Sequence, residues 1–196
     1  MVAIRPMRIP GRWRDGRALD VHTVSSVYVG DDEFGHARFE TRRSAMGDLL
    51  YRLKYRTDLT VIPEAAEAAA DFVTGWCPDA EILVPVPASR ERAIQPVVAV
   101  GEAIAARLGI EFLPSRLRRS RDVPQLKDVF DYDERWRLLD GLHEVDGLRV
   151  EGRRVLLFDD LFRSGATLNA VTSTLYDQGH AREVYALTLT RTRSRQ

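Results

Sequence analysis

The sequence predicts an α/β fold in which a mostly parallel central sheet is flanked by helices. Short apolar segments alternate with segments of helical periodicity through the last two thirds of the chain, as in successive βαβ units. One apolar segment, residues 153–159, shows no polar alternation, which is typical of a strand with helices on both faces. A length of 196 residues suits one such domain with a small additional lobe.

The first segment of the chain, residues 1–20, is expected to form a basic arm with little order. It carries five arginines among prolines and glycines. It has no apolar run of the kind found in a secretory signal, so we expect a cytoplasmic location. No unbroken apolar stretch of the chain exceeds four residues, and we therefore expect no membrane span.

Residues 21–60 are expected to form a small hood made of a β-hairpin and a helix. Two alternating segments, 21–29 and 36–41, flank a turn-rich stretch and predict antiparallel strands. Apolar residues recur at helical spacing over 42–55, which predicts the helix. The remaining residues, 61–196, are expected to form the core of the same domain.

The core begins with a helix and then alternates strands with helices. Pro63 suits the first turn of a helix, and Gly109 and Gly179 suit the positions just past two helix ends. The patterns predict helices over 63–76, 93–108 and 167–178, and strands over 81–87, 110–113, 153–159 and 183–190.

The alternation fails over 114–142, where polar residues are scattered around Pro124. We expect a long loop here, with a flexible lid over 115–132, before a short helix over 133–139. A basic loop beside an α/β sheet indicates an anionic ligand. The basic residues of this loop are Arg116, Arg118, Arg119, Arg121 and Lys127.

The stretch over residues 155–167 (VLLFDDLFRSGAT) carries the clearest chemistry. A buried strand delivers Asp159 and Asp160 to its carboxyl end, where open α/β sheets bind ligands. Gly165 then lets the backbone approach a ligand closely, and the helix that follows offers free N–H groups and a positive dipole end. Carboxylates a few residues from an anion site match a sugar phosphate, whose hydroxyls lie near a phosphate.

The same stretch resembles the phosphoribosyl pyrophosphate motif of type I phosphoribosyltransferases. The resemblance implies that Asp159 and Asp160 are the catalytic residues, hold the ribose hydroxyls, and bind Mg²⁺ directly or indirectly. It also implies a loop that holds the 5′-phosphate, made of Arg163, Ser164, Gly165, Ala166 and Thr167. Arg163 departs from the family pattern, which has a hydroxyl residue at that position.

Three further segments narrow the resemblance to the competence-protein ComF-like branch of that family, over about residues 45–190. Residues 53–56 (LKYR) and 84–87 (VPVP) resemble its Lys-Tyr-Arg segment and its Pro-Val-Pro pyrophosphate loop. Its flexible segment is matched by Arg118, Gln125, Leu126, Glu134 and Arg135. The branch implies a pyrophosphate-binding role for Lys54, Pro87, Ala88, Ser89, Arg90, Arg118 and Lys127.

Cysteine usage separates this chain from the usual pattern of that branch. The only cysteine is Cys77, which excludes an internal disulfide framework and a cysteine-rich zinc module in this sequence. The ComF-like branch commonly begins with a zinc ribbon. We therefore expect this chain to lack the ribbon and any role that needs it.

The resemblance implies a Mg²⁺-dependent phosphoribosyltransferase. Such an enzyme transfers the phosphoribosyl group of 5-phosphoribosyl 1-pyrophosphate to a nitrogenous base or amine and releases pyrophosphate. Type I enzymes often dimerise, so a homodimer is expected. The acceptor is not readable from the sequence.

Two alternative functions stay open at this point. One is a non-catalytic sensor of phosphoribosyl pyrophosphate or a nucleotide, favoured by Arg163 and by Leu138, which stands where the branch has Asn. The other is an accessory protein of DNA uptake, which rests on family analogy. Acidic and basic residues number 29 each, which argues against general nucleic-acid binding because such binding rests on excess positive charge.

Overall fold

The computed structural model describes residues 2–77, 79–88, 95–114, 117–119, 143–145 and 147–193. Its strands are β1 (Met7–Arg8), β2 (Asp15–Val21), β3 (Thr23–Asp31), β4 (Ala37–Arg43), β5 (Ile82–Pro85), β6 (Glu111–Phe112), β7 (Leu117–Arg119), β8 (His143–Val145), β9 (Arg154–Phe162) and β10 (Glu183–Arg191). Its α-helices are α1 (Ala45–Arg56), α2 (Ile62–Trp76), α3 (Pro96–Leu108), α4 (Gly147–Val150) and α5 (Ala166–Asp177). A 3₁₀ turn, Leu59–Val61, leads into α2.

Six strands form the central sheet in the order β1-β2-β10-β9-β5-β6. All neighbouring pairs are parallel except β1 with β2. The carboxyl ends of β2, β10, β9 and β5 therefore lie along one edge of the sheet. This architecture confirms the predicted α/β fold with a mostly parallel sheet flanked by helices.

The two faces of the sheet carry separate apolar layers. Leu156 and Phe158 of β9 pack into a cluster with α1, α2 and α3, whereas Val155 and Leu157 pack with α5. All four side chains are fully buried. The unbroken apolar sequence of β9 thus has the cause that the sequence analysis proposed, because helices cover both of its faces.

The prediction of a poorly ordered arm over residues 1–20 is wrong. Strand β2 pairs with β10 from Asp15 to Val21, and β1 pairs with β2 at the edge of the sheet. Ile9 and Trp13 are buried between these strands and the body of the domain. The physical reason is tertiary, since a segment with five arginines, two prolines and two glycines has little strand propensity of its own and is ordered by its pairing with β10.

The predicted hairpin is confirmed by the antiparallel pairing of β3 with β4. Helix α1 follows it and is capped by Ser44, whose hydroxyl accepts a hydrogen bond from the Gly47 backbone N–H at 3.0 Å. Some element ends differ from the predictions. Strand β9 continues to Phe162, three residues past the predicted end, and α3 begins at Pro96 rather than at residue 93.

The predicted lid and the helix over 133–139 fall outside the described residues, apart from 117–119. Within 114–142 the sequence predicted only a loop and that helix, but 117–119 form β7, which pairs antiparallel with β8. In the part of the chain that the structure describes, no helix is both long and apolar enough to cross a membrane.

Candidate functional site

Asp159 and Asp160 lie near the carboxyl end of β9, in the middle of the sheet. Thr188 of β10 is the register partner of Asp159 on one side. On the other side, the Val86 N–H donates to the Phe158 carbonyl oxygen at 2.8 Å, so the chain leaving β5 runs beside the two aspartates. Both carboxylates are therefore held at the edge of the sheet where parallel strands place ligand-binding groups.

Lys54 of α1 binds Asp160 directly. Its Nζ lies 2.7 Å from Asp160 Oδ2, and the two side chains are only 18% and 13% exposed. Helix α1 covers the sheet face occupied by Phe158, and Asp160 turns toward that face as successive strand residues alternate. The structure thus brings together two residues that the sequence analysis assigned to different parts of one ligand, the ribose and the pyrophosphate.

Asp159 is electrostatically unusual. Burial and, secondly, the neighbouring charge of Asp160 raise the pKa of Asp159 to about 7. Two weaker effects oppose them: a hydrogen bond from the Asp160 N–H to Asp159 Oδ1 at 2.8 Å, and the positive charge of Lys54. Two adjacent carboxylates with one cation, which is bound to Asp160, leave a demand for hydrogen-bond donors or a further cation.

The segment that follows β9 turns sharply into α5. Gly165 adopts φ 79°, in the left-handed region, and a Cβ there would lie 2.8 Å from the Phe162 ring. Arg163 and Ser164 are exposed, whereas Ala166 is buried and Thr167 is half-buried. No side chain caps α5, although Ser164 Oγ accepts a distant contact of 3.5 Å from the Ala166 N–H.

Uncapped N–H groups make the start of α5 suited to an anion. The first turn of α5 also contains no acidic residue that would repel one. This is the segment where the motif predicted the 5′-phosphate loop, Arg163 to Thr167. The donor groups there are backbone N–H groups, the Ser164 hydroxyl and the exposed Arg163 guanidinium.

His22 lies at the same edge of the sheet. Its Nδ1 lies 3.4 Å from Thr190 Oγ1, and that hydroxyl in turn lies 3.4 Å from the Asp160 carbonyl oxygen. Burial, followed by the charges of Lys54 and Arg43, lowers the pKa of His22, while Asp160 opposes the shift. No local signal marks His22, because only the pairing of β2 with β10 places residue 22 there.

The structure describes only some of the other residues that were predicted to bind pyrophosphate. Pro87 is half-buried and Ala88 is exposed. Both lie in the chain just past β5, near the end of β9 that carries the aspartates. Arg118 lies in β7. Ser89, Arg90 and Lys127 lie outside the described residues.

The acidic pair has the chemistry of a Mg²⁺ site shared with a ligand. Among the described residues, no three His, Cys, Asp or Glu side chains group together as metal ligands. Two carboxylates nevertheless fit Mg²⁺, which is usually held by one or two carboxylates with substrate phosphates and water. Asp159 and Asp160 are the residues that would hold it.

Comparison with known proteins places these residues in context. No protein-family model matches the chain. The chain is 27% identical to competence protein ComFC of Bacillus subtilis strain 168 over 153 residues, which are 77% of this chain and 62% of ComFC. The chain therefore spans less than two thirds of the length of that relative.

The solved structures that are similar to this chain include an adenine phosphoribosyltransferase and a glutamine phosphoribosylpyrophosphate amidotransferase. Adenine phosphoribosyltransferase from Saccharomyces cerevisiae has a TM-score of 0.48 and 14% identity, with 85% of each chain covered. Glutamine phosphoribosylpyrophosphate amidotransferase from Bacillus subtilis has a TM-score of 0.49 and 17% identity, with 81% of this chain and 34% of that chain covered. The similarity to ComFC confirms the resemblance to the ComF-like branch that the sequence motifs predicted.

Proposed function

We propose that this protein is a phosphoribosyltransferase that binds 5-phosphoribosyl 1-pyrophosphate with Mg²⁺. It transfers the phosphoribosyl group to a nitrogen acceptor and releases pyrophosphate. One observation carries the proposal: Asp160 and Asp159, near the carboxyl end of β9, stand six and seven residues ahead of Ala166, where α5 begins without a side-chain cap, and Lys54 binds Asp160. A carboxylate pair, an anion site and a cation at this spacing suit a ribose that bears phosphate groups.

Different groups of the site bind different parts of the ligand. Asp159 and Asp160 accept hydrogen bonds from the ribose hydroxyls and hold the ring. The N–H groups of the Gly165 turn and the start of α5 bind the 5′-phosphate. Lys54, which binds Asp160 in this structure, supplies positive charge toward the pyrophosphate.

The reaction breaks the bond between ribose C1 and a pyrophosphate oxygen and forms a bond from C1 to nitrogen. Positive charge develops on the ribose as the bond breaks, beside the carboxylates that hold the ring, and their field stabilises it. Asp159 and Asp160 would hold Mg²⁺, which would supply positive charge against the leaving pyrophosphate. The protein therefore contributes positioning and electrostatic stabilisation, and we assign no general base.

Calorimetric titration with phosphoribosyl pyrophosphate and Mg²⁺ tests the proposal. We expect binding by the unmodified protein, and about 10- to 100-fold weaker binding by Asp160→Asn, since a hydrogen bond to a charged group contributes roughly 1.5–3 kcal/mol. Asp71→Asn, an exposed change on α2, serves as the control and should bind normally. Equal affinity of Asp160→Asn and the unmodified protein would contradict the proposed ribose site.

A second candidate function is a phosphoribosyl pyrophosphate or nucleotide sensor that does not turn over. It is favoured by Arg163, which is exposed on the phosphate loop where the family has a hydroxyl residue. Pyrophosphate release measured across purines, pyrimidines and amines separates the two. Binding without release from any acceptor supports the sensor, whereas release with one acceptor supports the transferase.

A role in DNA uptake is suggested only by the name of the relative, competence protein ComFC. Titration of fluorescent single-stranded DNA at two salt concentrations tests it, because phosphate contacts weaken steeply with salt. A flat response at both concentrations argues against this role. The cytoplasmic location stays a prediction.

A further inference from the structure

Arg43, the last residue of β4, is a half-buried cation that binds no anion of its own chain. Its Nε is shielded from water and makes no hydrogen bond. Among the described residues, no carboxylate forms an ion pair with it, including Asp48 in the first turn of α1. By contrast, a carboxylate binds each of the half-buried arginines Arg17, Arg52, Arg153 and Arg154. Burial without a partner costs free energy, so Arg43 is suited to an anion from outside the chain.

An aromatic ring holds the Arg43 guanidinium in place. Its Cζ lies 3.7 Å from the centroid of the Tyr51 ring, on α1 about one turn before Lys54. Arg56 also approaches this ring, with its Cζ at 5.7 Å. A guanidinium held against a ring loses less freedom when it binds a second partner, and the uncharged ring leaves its positive charge unbalanced.

The fold places Arg43 beside the acidic site. Its register partner in the hairpin is Thr23, and the preceding His22 N–H donates to a carbonyl oxygen at the end of β10 at 2.8 Å. After burial, the charges of Lys54 and Arg43 lower the pKa of His22, so both cations lie within electrostatic reach of that ring. Lys54 in turn binds Asp160. Arg43 therefore lies near the aspartates, on the side of β10 and β2.

The proposed reaction offers Arg43 two anions, which are the pyrophosphate and a charged group of the acceptor. The predicted pyrophosphate residues Pro87 and Ala88 follow β5, on one side of β9, whereas β10 and β2 lie on the other side. A nucleophile that replaces a leaving group approaches the carbon from the opposite side. The acceptor therefore approaches ribose C1 from the side of β10 and β2, where Arg43 lies.

We propose that Arg43 binds a carboxylate group of the nitrogen acceptor and so determines which acceptors this protein uses. The inference rests on the proposed phosphoribosyl transfer and names the class of its acceptor. A carboxylate is flat and accepts two parallel hydrogen bonds from one guanidinium, whereas an uncharged base leaves the charge of Arg43 unpaired. The acceptor class is therefore a nitrogen compound that carries a carboxylate.

Calorimetric titration with matched probes tests the proposal. The probes are nicotinate with nicotinamide and anthranilate with anthranilamide, because the members of each pair differ in charge but little in shape. Ribose 5-phosphate is present throughout, since it fills the proposed ribose site and has no leaving group. We expect the unmodified protein to bind at least one carboxylate about 10- to 100-fold more tightly than its amide. This ratio of affinities is the carboxylate preference.

Variants of Arg43 separate this role from a structural one. Arg43→Gln should lose the carboxylate preference, while its affinities for the amide and for phosphoribosyl pyrophosphate stay unchanged. Arg43→Lys keeps the charge but not the two parallel hydrogen bonds, so it should recover only part of the preference. Arg42→Gln removes the neighbouring exposed arginine of β4 and is the matched control, in which the preference should be intact.

The outcomes distinguish this inference from the proposed function. If the unmodified protein does not bind phosphoribosyl pyrophosphate, both fail. If it binds that ligand but neither carboxylate binds more tightly than its amide, or if Arg43→Gln keeps the carboxylate preference, only the inference on the acceptor is overturned. Weaker binding of phosphoribosyl pyrophosphate by Arg43→Gln, with the preference unchanged, would overturn it as well and assign Arg43 to the pyrophosphate.

Discussion

At the scale of single residues, the site is defined by charges that the fold forces together. Asp159 and Asp160 are adjacent in a strand and share one nearby cation, Lys54. Such an arrangement costs stability in the free protein, because part of the carboxylate hydration is lost without full compensation. A ligand with hydroxyl groups, or a bound cation, relieves that cost, which is the electrostatic signature of a binding site.

The raised pKa of Asp159 makes a specific prediction about stability and pH. In the folded protein this carboxyl has a pKa of about 7, while in the unfolded chain it has an ordinary value of about 3.9. The folded state therefore binds more protons between these two values, and the Asp159 contribution to the unfolding free energy falls as pH rises through that window. Asp159→Asn removes this loss and keeps the oxygen that accepts from the Asp160 N–H.

We therefore expect Asp159→Asn to gain unfolding free energy over the unmodified protein at pH 8, by about 1–3 kcal/mol, and little at pH 4. Urea denaturation at both pH values measures the difference. Asp71→Asn, at an exposed side chain of α2, is the control measured under the same conditions. A stability difference for Asp159→Asn that is the same at both pH values would show that the carboxyl titrates normally.

At the scale of elements, the position of α1 decides where Lys54 lies. The Ser44 hydroxyl donates to the Val21 carbonyl oxygen at 2.5 Å and so fixes the start of the helix to the end of β2. At Gly47, a Cβ would lie 2.2 Å from the His22 carbonyl oxygen. Gly47 thus lets α1 lie directly on this junction, and Lys54, two turns later on the same face, reaches Asp160.

Replacement of this glycine should reverse the usual effect of Gly→Ala in a helix. Alanine ordinarily stabilises a helix interior by about 1 kcal/mol. We expect Gly47→Ala instead to destabilise the protein by about 1–3 kcal/mol, because the added methyl group forces α1 away from backbone that cannot yield. Thermal and urea unfolding measure the change.

Gly75 provides the matched control within α2. A Cβ at Gly75 would meet no atom within 4 Å, so Gly75→Ala should stabilise the protein slightly, by up to about 1 kcal/mol. If both alanine variants were stabilising, close contact at Gly47 would not be what holds α1 in place.

At the scale of the whole molecule, the N-terminal segment completes the domain. Strands β1 and β2 extend the sheet beyond β10, and the turn between them carries Trp13 into the core. The Trp13 ring meets Phe162 edge to face with centroids 6.4 Å apart, and its Nε1–H donates to the Ile9 carbonyl oxygen at 3.1 Å. Phe162 also packs under Gly165, so this contact links the N-terminal segment to the turn that leads into α5.

Trp13→Ala should therefore destabilise the protein by about 3–5 kcal/mol, the usual cost of removing a buried aromatic side chain. Phe34→Ala, at a residue 77% exposed, is the control and should change the unfolding free energy little. Both values come from urea denaturation of the full chain. If Trp13→Ala were as mild as Phe34→Ala, the N-terminal segment would contribute little to folding.

Local patterns in the sequence determined most of the elements and the central motif. The apolar strand, the two aspartates, the Gly165 turn and the following helix are contiguous, so propensity, burial pattern and turn chemistry mark them together. The hairpin and α1 are likewise local. The resemblance to the ComF-like branch implied roles for residues such as Lys54. It did not indicate that Lys54 binds Asp160.

Only the tertiary structure decided which distant segments meet. It placed β2 beside β10, His22 near Thr190, and Lys54 on Asp160, all pairs far apart in the sequence. The physical reason is that periodicity reports how one segment buries its own face, whereas strand pairing between distant segments is selected by the packing of the whole domain. The basic N-terminal segment has weak propensity, so its order arises from the sheet it joins.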